Sequence, residues 1–185
     1  MAHTVLQLDK SALLWINSHH NAILDAILAP VAYAGDGGAI WFLLCAIILI
    51  WGKAQHKRTA LTLVITVILV DRCISAPVGH HFDRLRPYLA MEEVRQVGSA
   101  WTGSSFPSAH AHSVWEAAII LGSRWRKLIA PLIVFALLTC YSRPYCGMHY
   151  PGDVAAGSVL GIAAGFAAVA ALKCWESRSR PGRRN

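Results

Sequence analysis

A series of apolar segments constrains this chain more than any other feature of its sequence. The segments are residues 22–34, 39–51, 59–78, 108–122, 128–142 and 153–175. A helix that crosses a bilayer needs about 20 mostly apolar residues, so the shorter segments have to extend into their polar flanks. The chain is 55% hydrophobic and 15% charged, whereas soluble domains average about 45–50% and 25%. We predict a single all-α domain, an integral membrane six-helix bundle over residues 22–175.

The two ends of the chain differ in character from these segments. Residues 4–19 place Val5, Leu8, Ala12, Trp15 and Ile16 at helical spacing, which predicts an additional N-terminal helix, within residues 1–20, lying in the membrane interface. Residues 176–185 form a basic tail. Because polar residues interrupt the N-terminal segment, a cleavable signal peptide is not predicted.

Basic residues are distributed unevenly between the connections. Lys and Arg total 17 against 10 Asp and Glu, a formal net charge of +7. With six spans, twelve of them fall on one side of the membrane: Lys10, Lys53, Lys57, Arg58, Arg124, Arg126, Lys127, Lys173, Arg178, Arg180, Arg183 and Arg184. Since basic connections mark the cytoplasmic side, both termini are predicted to be cytoplasmic. Topology explains the charge, so no nucleic-acid partner is expected.

Five arginines do not follow this rule: Arg72, Arg84, Arg86, Arg95 and Arg143. All five lie in the outer half of a predicted span or in an outer connection. Charged groups in or near a membrane are candidates for function. The two outer connections, residues 84–110 and 142–153, also carry most of the remaining reactive side chains.

The second outer connection contains a histidine close to an acid. Pro151 and Gly152 break the chain, and Asp153 suits the first turn of the last span. His149 precedes Asp153 by four residues, so the carboxylate can accept a hydrogen bond from one ring nitrogen and raise the basicity of the other. Arg143 can meet an anion with its forked guanidinium.

The first outer connection predicts an anion site. Pro107 opens a helix whose first residues are Ser108, Ala109 and His110, and the N–H groups of a helix N-terminus bind anions. Arg86 supplies a second guanidinium. Together the two connections describe a phosphate site without metal, in which one histidine attacks phosphorus and the other protonates the leaving oxygen.

Each of these residues also has a simpler interpretation. Ser108 and Asp153 are suitable helix caps, and outward arginines can contact lipid headgroups. These interpretations do not explain why separated segments with complementary roles converge on one side of the membrane.

The same segments resemble the three signature motifs of the type 2 phosphatidic acid phosphatase superfamily of membrane lipid phosphatases. The third motif is complete, with Ser142-Arg143, His149 and Asp153 at the family's spacing. The second reads Pro107-Ser108-Ala109-His110, with alanine where the family has glycine. The first keeps Arg86-Pro87 but has Gly79 in place of the lysine.

This resemblance implies a role for each matching residue. His149 is the nucleophile that forms a phosphohistidine, Asp153 orients it, and His110 is the general acid. The phosphate is held by Arg86, Ser108, Ala109 and Arg143, and no metal or other cofactor is implied. For the missing lysine, His80 and His81 are candidates, against simple exposure at the interface. Arg72 would lie deeper and could instead pair with Asp36 or Asp83.

The expected substrate is a lipid phosphate or diphosphate. Small bacterial undecaprenyl-diphosphate phosphatases of this superfamily also tend to lack the first-motif lysine, and they resemble residues 17–25 of this chain. Undecaprenyl diphosphate is therefore the leading substrate, with lipid A 1-phosphate, phosphatidylglycerol phosphate and phosphatidic acid as alternatives. We expect a bacterial inner-membrane protein whose active site faces the periplasm or exterior. A non-catalytic lipid-binding protein and a haloperoxidase are the competing classes.

Overall fold

The computed structural model describes residues 2–34, 38–98 and 100–179, and every regular element in these ranges is helical. Four helices cover the first half of the described chain: α1 (Ala2–Ser18), α2 (Ala22–Ala34), α3 (Ala39–Trp51) and α4 (Ala54–Val70). A π-helical turn, Asp71–Ser75, joins α4 to α5 (Ala76–Phe82), and the short α6 (Pro87–Ala90) follows. The remaining helices are α7 (Ala109–Arg124), α8 (Ile129–Tyr145) and α9 (Pro151–Arg178).

Helix α7 lies at the centre of the bundle, packed against α4, α8 and α9. Small residues permit its close contact with α9. A Cβ at Gly161 would stand 2.3 Å from the carbonyl oxygen of His112, so only glycine fits there. Leu63, Val67, Val114, Ile120 and Ala136 belong to the main apolar core. Because protein surrounds α7, this helix carries buried polar side chains in place of a lipid-facing apolar surface.

The number of membrane crossings differs from the sequence prediction. Three segments of the described chain are long and apolar enough to cross: Ala54–Ala90, Arg126–Tyr145 and Pro151–Arg178. Helices α2 and α3 have 13 residues each, about 20 Å at 1.5 Å per residue, so neither alone spans a core about 30 Å thick. Only when they are taken together, as one span bent by 58°, are they long and apolar enough to cross. The structure therefore does not confirm six separate spans.

The N-terminal helix lies at the same end of the bundle as residues 84–110 and 142–153. Asp9 of α1 accepts a hydrogen bond from the backbone N–H of Gly152 at 2.7 Å. Asn17, near the end of α1, donates to the carbonyl oxygens of Arg95 and Tyr145 at 2.9 and 2.8 Å. The structure does not confirm the prediction that both termini share one side, because α1 lies at this end and α9 runs from it to the opposite one. Lys10 is thus separated from the other described basic residues in the group of twelve.

The opposite end of the bundle holds those other basic residues. Arg124 at the end of α7 forms an ion pair with Glu176 of α9, and its Nε donates to the Thr59 hydroxyl at 3.0 Å. The Arg58 guanidinium lies 5.6 Å from the centre of the Trp175 ring. Arg180, Arg183 and Arg184 of the predicted tail lie outside the described residues.

Candidate active site

Four segments of the chain meet around one cavity of about 640 Å³ at the end of the bundle where α7 and α9 begin. The predicted site residues that line it are Arg86, Ala109, His110, Arg143, His149 and His80. Ser108 and Asp153 are fully buried beside it. The structure thus brings together residues that are up to 73 positions apart in the sequence, from His80 to Asp153.

The hydrogen bonds of His149 define which ring nitrogen is available for chemistry. Its Nδ1 lies 2.7 Å from the carbonyl oxygen of Ser105, an acceptor, so Nδ1 carries the proton. Its Nε2 lies 3.1 Å from Nη1 of Arg86, which can only donate. Nε2 therefore carries the lone pair of the ring, and it lies next to the Arg86 guanidinium, which can also bind an anion.

Burial lowers the pKa of His149 well below its ordinary value of 6.5, and the nearby charges of Arg143, Arg86 and His110 lower it further. The hydrogen bond to Ser105 acts in the opposite direction but is the weakest of these effects. His149 is consequently neutral at neutral pH. A neutral imidazole is the form that can act as a nucleophile.

This lowered pKa predicts how His149 responds to acid. Protonation removes the lone pair, so nucleophilic capacity is lost as pH falls through the pKa, and that loss is displaced to below pH 6.5. Nitrogen NMR of the ¹⁵N-histidine-labelled protein should show His149 still neutral at pH 6.5, with the signal assigned by its absence from His149→Gln. A His149 signal that titrates at or above pH 6.5 would contradict the expectation.

The contact between His149 and Asp153 is longer than the sequence predicted. The carboxylate Oδ2 lies 3.8 Å from Nδ1 of His149, beyond hydrogen-bond distance. Oδ2 instead accepts from the backbone N–H of Tyr150 at 2.9 Å, and Oδ1 accepts from Arg84 at 2.5 Å. The expected direct hydrogen bond is therefore absent, because Nδ1 of His149 bonds to the Ser105 carbonyl oxygen instead.

Arg84 and Asp9 are the residues that sequence reasoning missed. Arg84 donates through Nη1 to Asp153 and through Nη2 to Asp9 at 2.7 Å, and its guanidinium lies 3.8 Å from the centre of the Tyr150 ring. Asp9 reaches this position from α1, 75 residues away in sequence from Arg84. Arg84 was one of the five exceptional arginines, but nothing in the sequence identified Asp9 as its partner.

We expect Asp9→Asn to lower kcat several-fold while leaving the protein folded. The substitution weakens the ion pair that fixes Arg84 and, through it, the carboxylate beside His149; charge-assisted hydrogen bonds are about twice as strong as neutral ones. Phosphate release under saturating lipid substrate measures the effect. Asp83→Asn, at a cavity-lining acid, provides a matched control whose KM can change but whose kcat should not. An unchanged kcat in Asp9→Asn would contradict this coupling.

The N-terminus of α7 presents the predicted phosphate-binding residues. The hydroxyl of Ser108 is buried and has no hydrogen-bond partner among the described residues, which is costly unless a ligand supplies one. The backbone N–H of Ser108 donates to the carbonyl oxygen of Asp153 at 3.1 Å, tying α7 to α9. His110 lines the same cavity as His149, and their ring centres are 6.5 Å apart.

Two guanidinium groups frame the same space. Arg86 is fixed by the carbonyl oxygens of Gly103, Met148 and Ser104 at 3.0, 3.2 and 3.3 Å. Arg143 is only 2% exposed, and its Nη1 donates to the carbonyl oxygen of Ala32 at 3.3 Å. Backbone carbonyl oxygens therefore accept hydrogen bonds from both arginines and orient them beside the cavity.

The position of the missing lysine is closed by the backbone. A Cβ at Gly79 would stand 2.9 Å from the carbonyl oxygen of Phe106, so a larger residue requires the connection before α7 to move. His80 lines the cavity, whereas His81 packs edge-on against Phe82 at 5.3 Å. Only His80 of the two candidate replacements is thus placed to contact a substrate.

Arg95, another exceptional arginine, has a structural environment. It forms two hydrogen bonds with Asp25, at 3.0 and 2.6 Å, and the Tyr145 hydroxyl donates to the same carboxylate at 2.7 Å. These contacts join the connection before α7 to α2 and α8. The position of Arg95 is therefore explained by its role in holding these segments together, and it does not line the cavity.

In the part of the chain that the structure describes, an all-helical bundle therefore gathers the predicted site residues around one cavity. The family model of the PAP2 superfamily matches residues 59–176. The chain belongs to this superfamily of phosphatases, as its three motifs indicated, and is a hydrolase acting on phosphate esters.

Individual relatives differ in their stated substrates. The chain is 34% identical over 155 residues to the undecaprenyl-diphosphatase BcrC of Bacillus subtilis, covering 80% of this chain and 75% of that one. It is 30% identical over 173 residues to a lipid A 4'-phosphatase of Bacteroides thetaiotaomicron, covering 87% and 75%. The crystal structure of a transmembrane PAP2-type phosphatidylglycerolphosphate phosphatase from Bacillus subtilis superposes with a TM-score of 0.72 at 18% identity, covering 97% and 90%. This last likeness concerns the fold alone.

Proposed function

We propose that this protein hydrolyses a lipid diphosphate at the outer face of a bacterial inner membrane, with undecaprenyl diphosphate converted to undecaprenyl phosphate. The observation that carries the proposal is the cavity in which His149 Nε2 lies 3.1 Å from Arg86 and the His149 ring centre lies 6.5 Å from that of His110. The named relative with 34% identity is an undecaprenyl-diphosphatase, which favours this substrate over lipid monophosphates. The roles of the site residues below are part of the proposal.

The reaction proceeds in two displacements. His149 Nε2 attacks the terminal phosphorus, and the bond from phosphorus to the bridging oxygen breaks as His110 gives that oxygen its proton. Lipid phosphate leaves, and the phosphoryl group remains on His149. Water then attacks the phosphohistidine, His110 takes the water's proton, and inorganic phosphate is released.

The chain's own groups stabilise the charge that moves during these steps. Arg86 and Arg143 bind the phosphoryl oxygens, while Ser108 and the first N–H groups of α7 donate hydrogen bonds to them. The Ser105 carbonyl fixes the Nδ1–H tautomer and favours positive charge on the ring as the bond forms. Asp153, held by Arg84, contributes its negative charge from 3.8 Å.

We propose an orientation that amends the one expected from six spans. The basic end of α3, α4, α7, α8 and α9 is cytoplasmic, which places the cavity and α1 on the outer side. The bent pair α2–α3 counts as one crossing, and α4–α6, α8 and α9 add three. The shorter α7, enclosed by the other helices, runs from the cavity to the basic end and is counted as the fifth. Five crossings are consistent with an outer N-terminal helix, lying in the interface, and a cytoplasmic C-terminus.

Phosphate release from purified lipids tests the substrate. We expect undecaprenyl diphosphate to be hydrolysed with a kcat/KM at least tenfold above those of phosphatidic acid, phosphatidylglycerol phosphate and lipid A phosphates, all presented in the same detergent. Activity should persist in EDTA. Preferred hydrolysis of any monophosphate would overturn the diphosphate assignment, and loss of activity in EDTA would overturn the metal-free mechanism.

A further inference from the structure

Arg72 is a charged residue with an exposed side chain inside a membrane-spanning segment. It belongs to the π-helical turn after α4, and such turns are frequent at functional sites. It follows Arg58 by 14 residues, so it lies about 21 Å further along the helix axis, within a hydrocarbon core about 30 Å thick. The side chain is 79% exposed. Charged groups at such depth face a polar cavity or an opposite charge.

The neighbouring acid satisfies Arg72 only in part. Among the described residues, its ion-pair partner is Asp71, at 3.6 Å through Nε. Asp71 also approaches Nε2 of buried His112, at 3.9 Å. A guanidinium has five N–H donors, and one long contact uses little of this capacity. Among the described residues, which do not include the predicted alternative partner Asp36, Arg72 therefore retains hydrogen-bonding capacity for an anion.

Two cavities meet at Arg72. The larger one contains His149, and a second cavity of about 160 Å³ is lined by the apolar side chains of Phe42, Val67 and Ile68. Asp71, Arg72, Ala109 and His110 line both. The larger cavity therefore contains the nucleophile, His110 and Arg72 lie where the two cavities adjoin, and the second cavity extends between α3, α4 and α7.

We propose that Arg72 binds the lipid-proximal phosphate of a diphosphate substrate, with the first part of the lipid tail in the apolar cavity. This inference rests on the proposed function and makes its substrate class more specific. The order of groups in a lipid diphosphate is terminal phosphate, bridging oxygen, proximal phosphate and tail. It matches His149 in the larger cavity, His110 and Arg72 where the two cavities adjoin, and the apolar side chains of the second cavity. At about 30 Å³ per water-sized group, the second cavity accommodates roughly five such groups, as many as the carbons in one isoprene unit.

The same contact would favour the reaction as well as binding. When the bond between terminal phosphorus and bridging oxygen breaks, the electron pair goes to the proximal phosphate, which departs with the proton from His110. Arg72 would stabilise the negative charge of this leaving group. A lipid monophosphate leaves as an alcohol and gives Arg72 no phosphate to bind. Arg72 is thus a specificity-determining residue.

Arg72→Gln tests this assignment with two substrates that share one tail, farnesyl diphosphate and farnesyl monophosphate, in detergent. We expect kcat/KM for the diphosphate to fall at least tenfold, because hydrogen bonds to charged groups have large effects, while the value for the monophosphate changes less than twofold. Arg72→Lys should retain an intermediate activity toward the diphosphate. Arg126→Gln, at an exposed arginine of the opposite end, is the matched control and should affect neither substrate.

Inhibition of farnesyl monophosphate hydrolysis by inorganic pyrophosphate and inorganic phosphate gives a second readout. Arg72→Gln should raise the inhibition constant of pyrophosphate and leave that of phosphate unchanged. An equal loss on both farnesyl substrates, or an unchanged pyrophosphate constant, would overturn the subsite. If wild-type protein prefers the monophosphate, the proposed function fails instead, and the pyrophosphate-to-phosphate comparison still decides whether Arg72 binds a second phosphate.

Discussion

Replacing His149 with glutamine is expected to abolish phosphate release, with a loss of roughly a thousandfold or more, because nucleophile removal is among the largest single effects in enzymes that form covalent intermediates. The loss should appear in kcat, since Arg86 and Arg143 still bind the phosphate. Rapid quenching of wild-type protein with substrate labelled on its terminal phosphate should trap an acid-labile phosphoryl group, and His149→Gln should trap none.

His81→Gln is the matched control for this variant. His81 lies two residues from Asp83 near the same end of the bundle, but its ring packs against Phe82 rather than lining the cavity. Its replacement should leave phosphate release within about twofold of wild type, as is usual for surface positions. Turnover by His149→Gln above a few per cent of wild type, in protein that still binds inorganic phosphate, would exclude the phosphohistidine mechanism.

The second large effect is expected for His110→Asn, and its size should depend on the leaving group. A general acid contributes about 10²–10⁴-fold when the departing oxygen is basic. Asparagine keeps a polar side chain at the start of α7 but cannot supply a proton. We therefore expect a loss of at least a hundredfold with a lipid monophosphate, whose leaving group is an alkoxide. With p-nitrophenyl phosphate, whose leaving group is stable without protonation, the loss should be below tenfold.

This comparison uses one protein preparation, so incorrect folding cannot mimic it. Misfolded protein would lose activity toward both substrates in the same proportion. Equal losses of His110→Asn on the two substrates, in protein that unfolds at the wild-type temperature, would mean that His110 holds phosphate rather than transferring a proton. His110 and His149, whose ring centres are 6.5 Å apart, would then both contact the phosphate.

The candidate site was predictable from sequence where local spacing determines geometry. His149 and Asp153 flank the start of α9, and Ser108 to His110 form the start of α7, so short-range rules placed each group at a helix N-terminus. The convergence of these groups on one cavity followed from the assignment of both connections to one side of the membrane. That assignment was made from basic residues alone.

Contacts between distant segments could not be predicted in the same way. The Ser105 carbonyl that orients His149 is a backbone atom, and any residue type supplies one. Asp9 reaches Arg84 and Gly152 from α1 because of how α1 packs, and a single aspartate in a helix has no pattern that reveals its partner. The prediction of a direct hydrogen bond between His149 and Asp153 was wrong. A spacing of four residues places the two side chains close together, but it does not reveal that the Ser105 carbonyl oxygen competes with the carboxylate for the same N–H group.

The fold was predictable as helical and membrane-embedded, but the crossings were not. Apolar length distinguishes poorly between two spans and one bent span, so α2 and α3 were counted separately. Assigning them as two crossings predicted α1 and Lys10 on the side opposite the cavity, whereas Asp9 of α1 contacts Arg84 beside it. The contact between Asp9 and Arg84 shows that α1 lies next to the cavity, which hydropathy alone cannot predict.

The central position of α7 has a consequence for how the protein enters the membrane. Its buried face contains the hydrogen-bonded pair His112 and Glu116, 3.0 Å apart, and a charged residue at the centre of a helix adds about 2.5–3.5 kcal/mol to the cost of membrane insertion. We expect α7 to insert poorly by itself during synthesis and to become stable only once α8 and α9 have emerged to enclose it. Chains truncated after α7 should therefore be degraded, whereas those ending after α9 should accumulate.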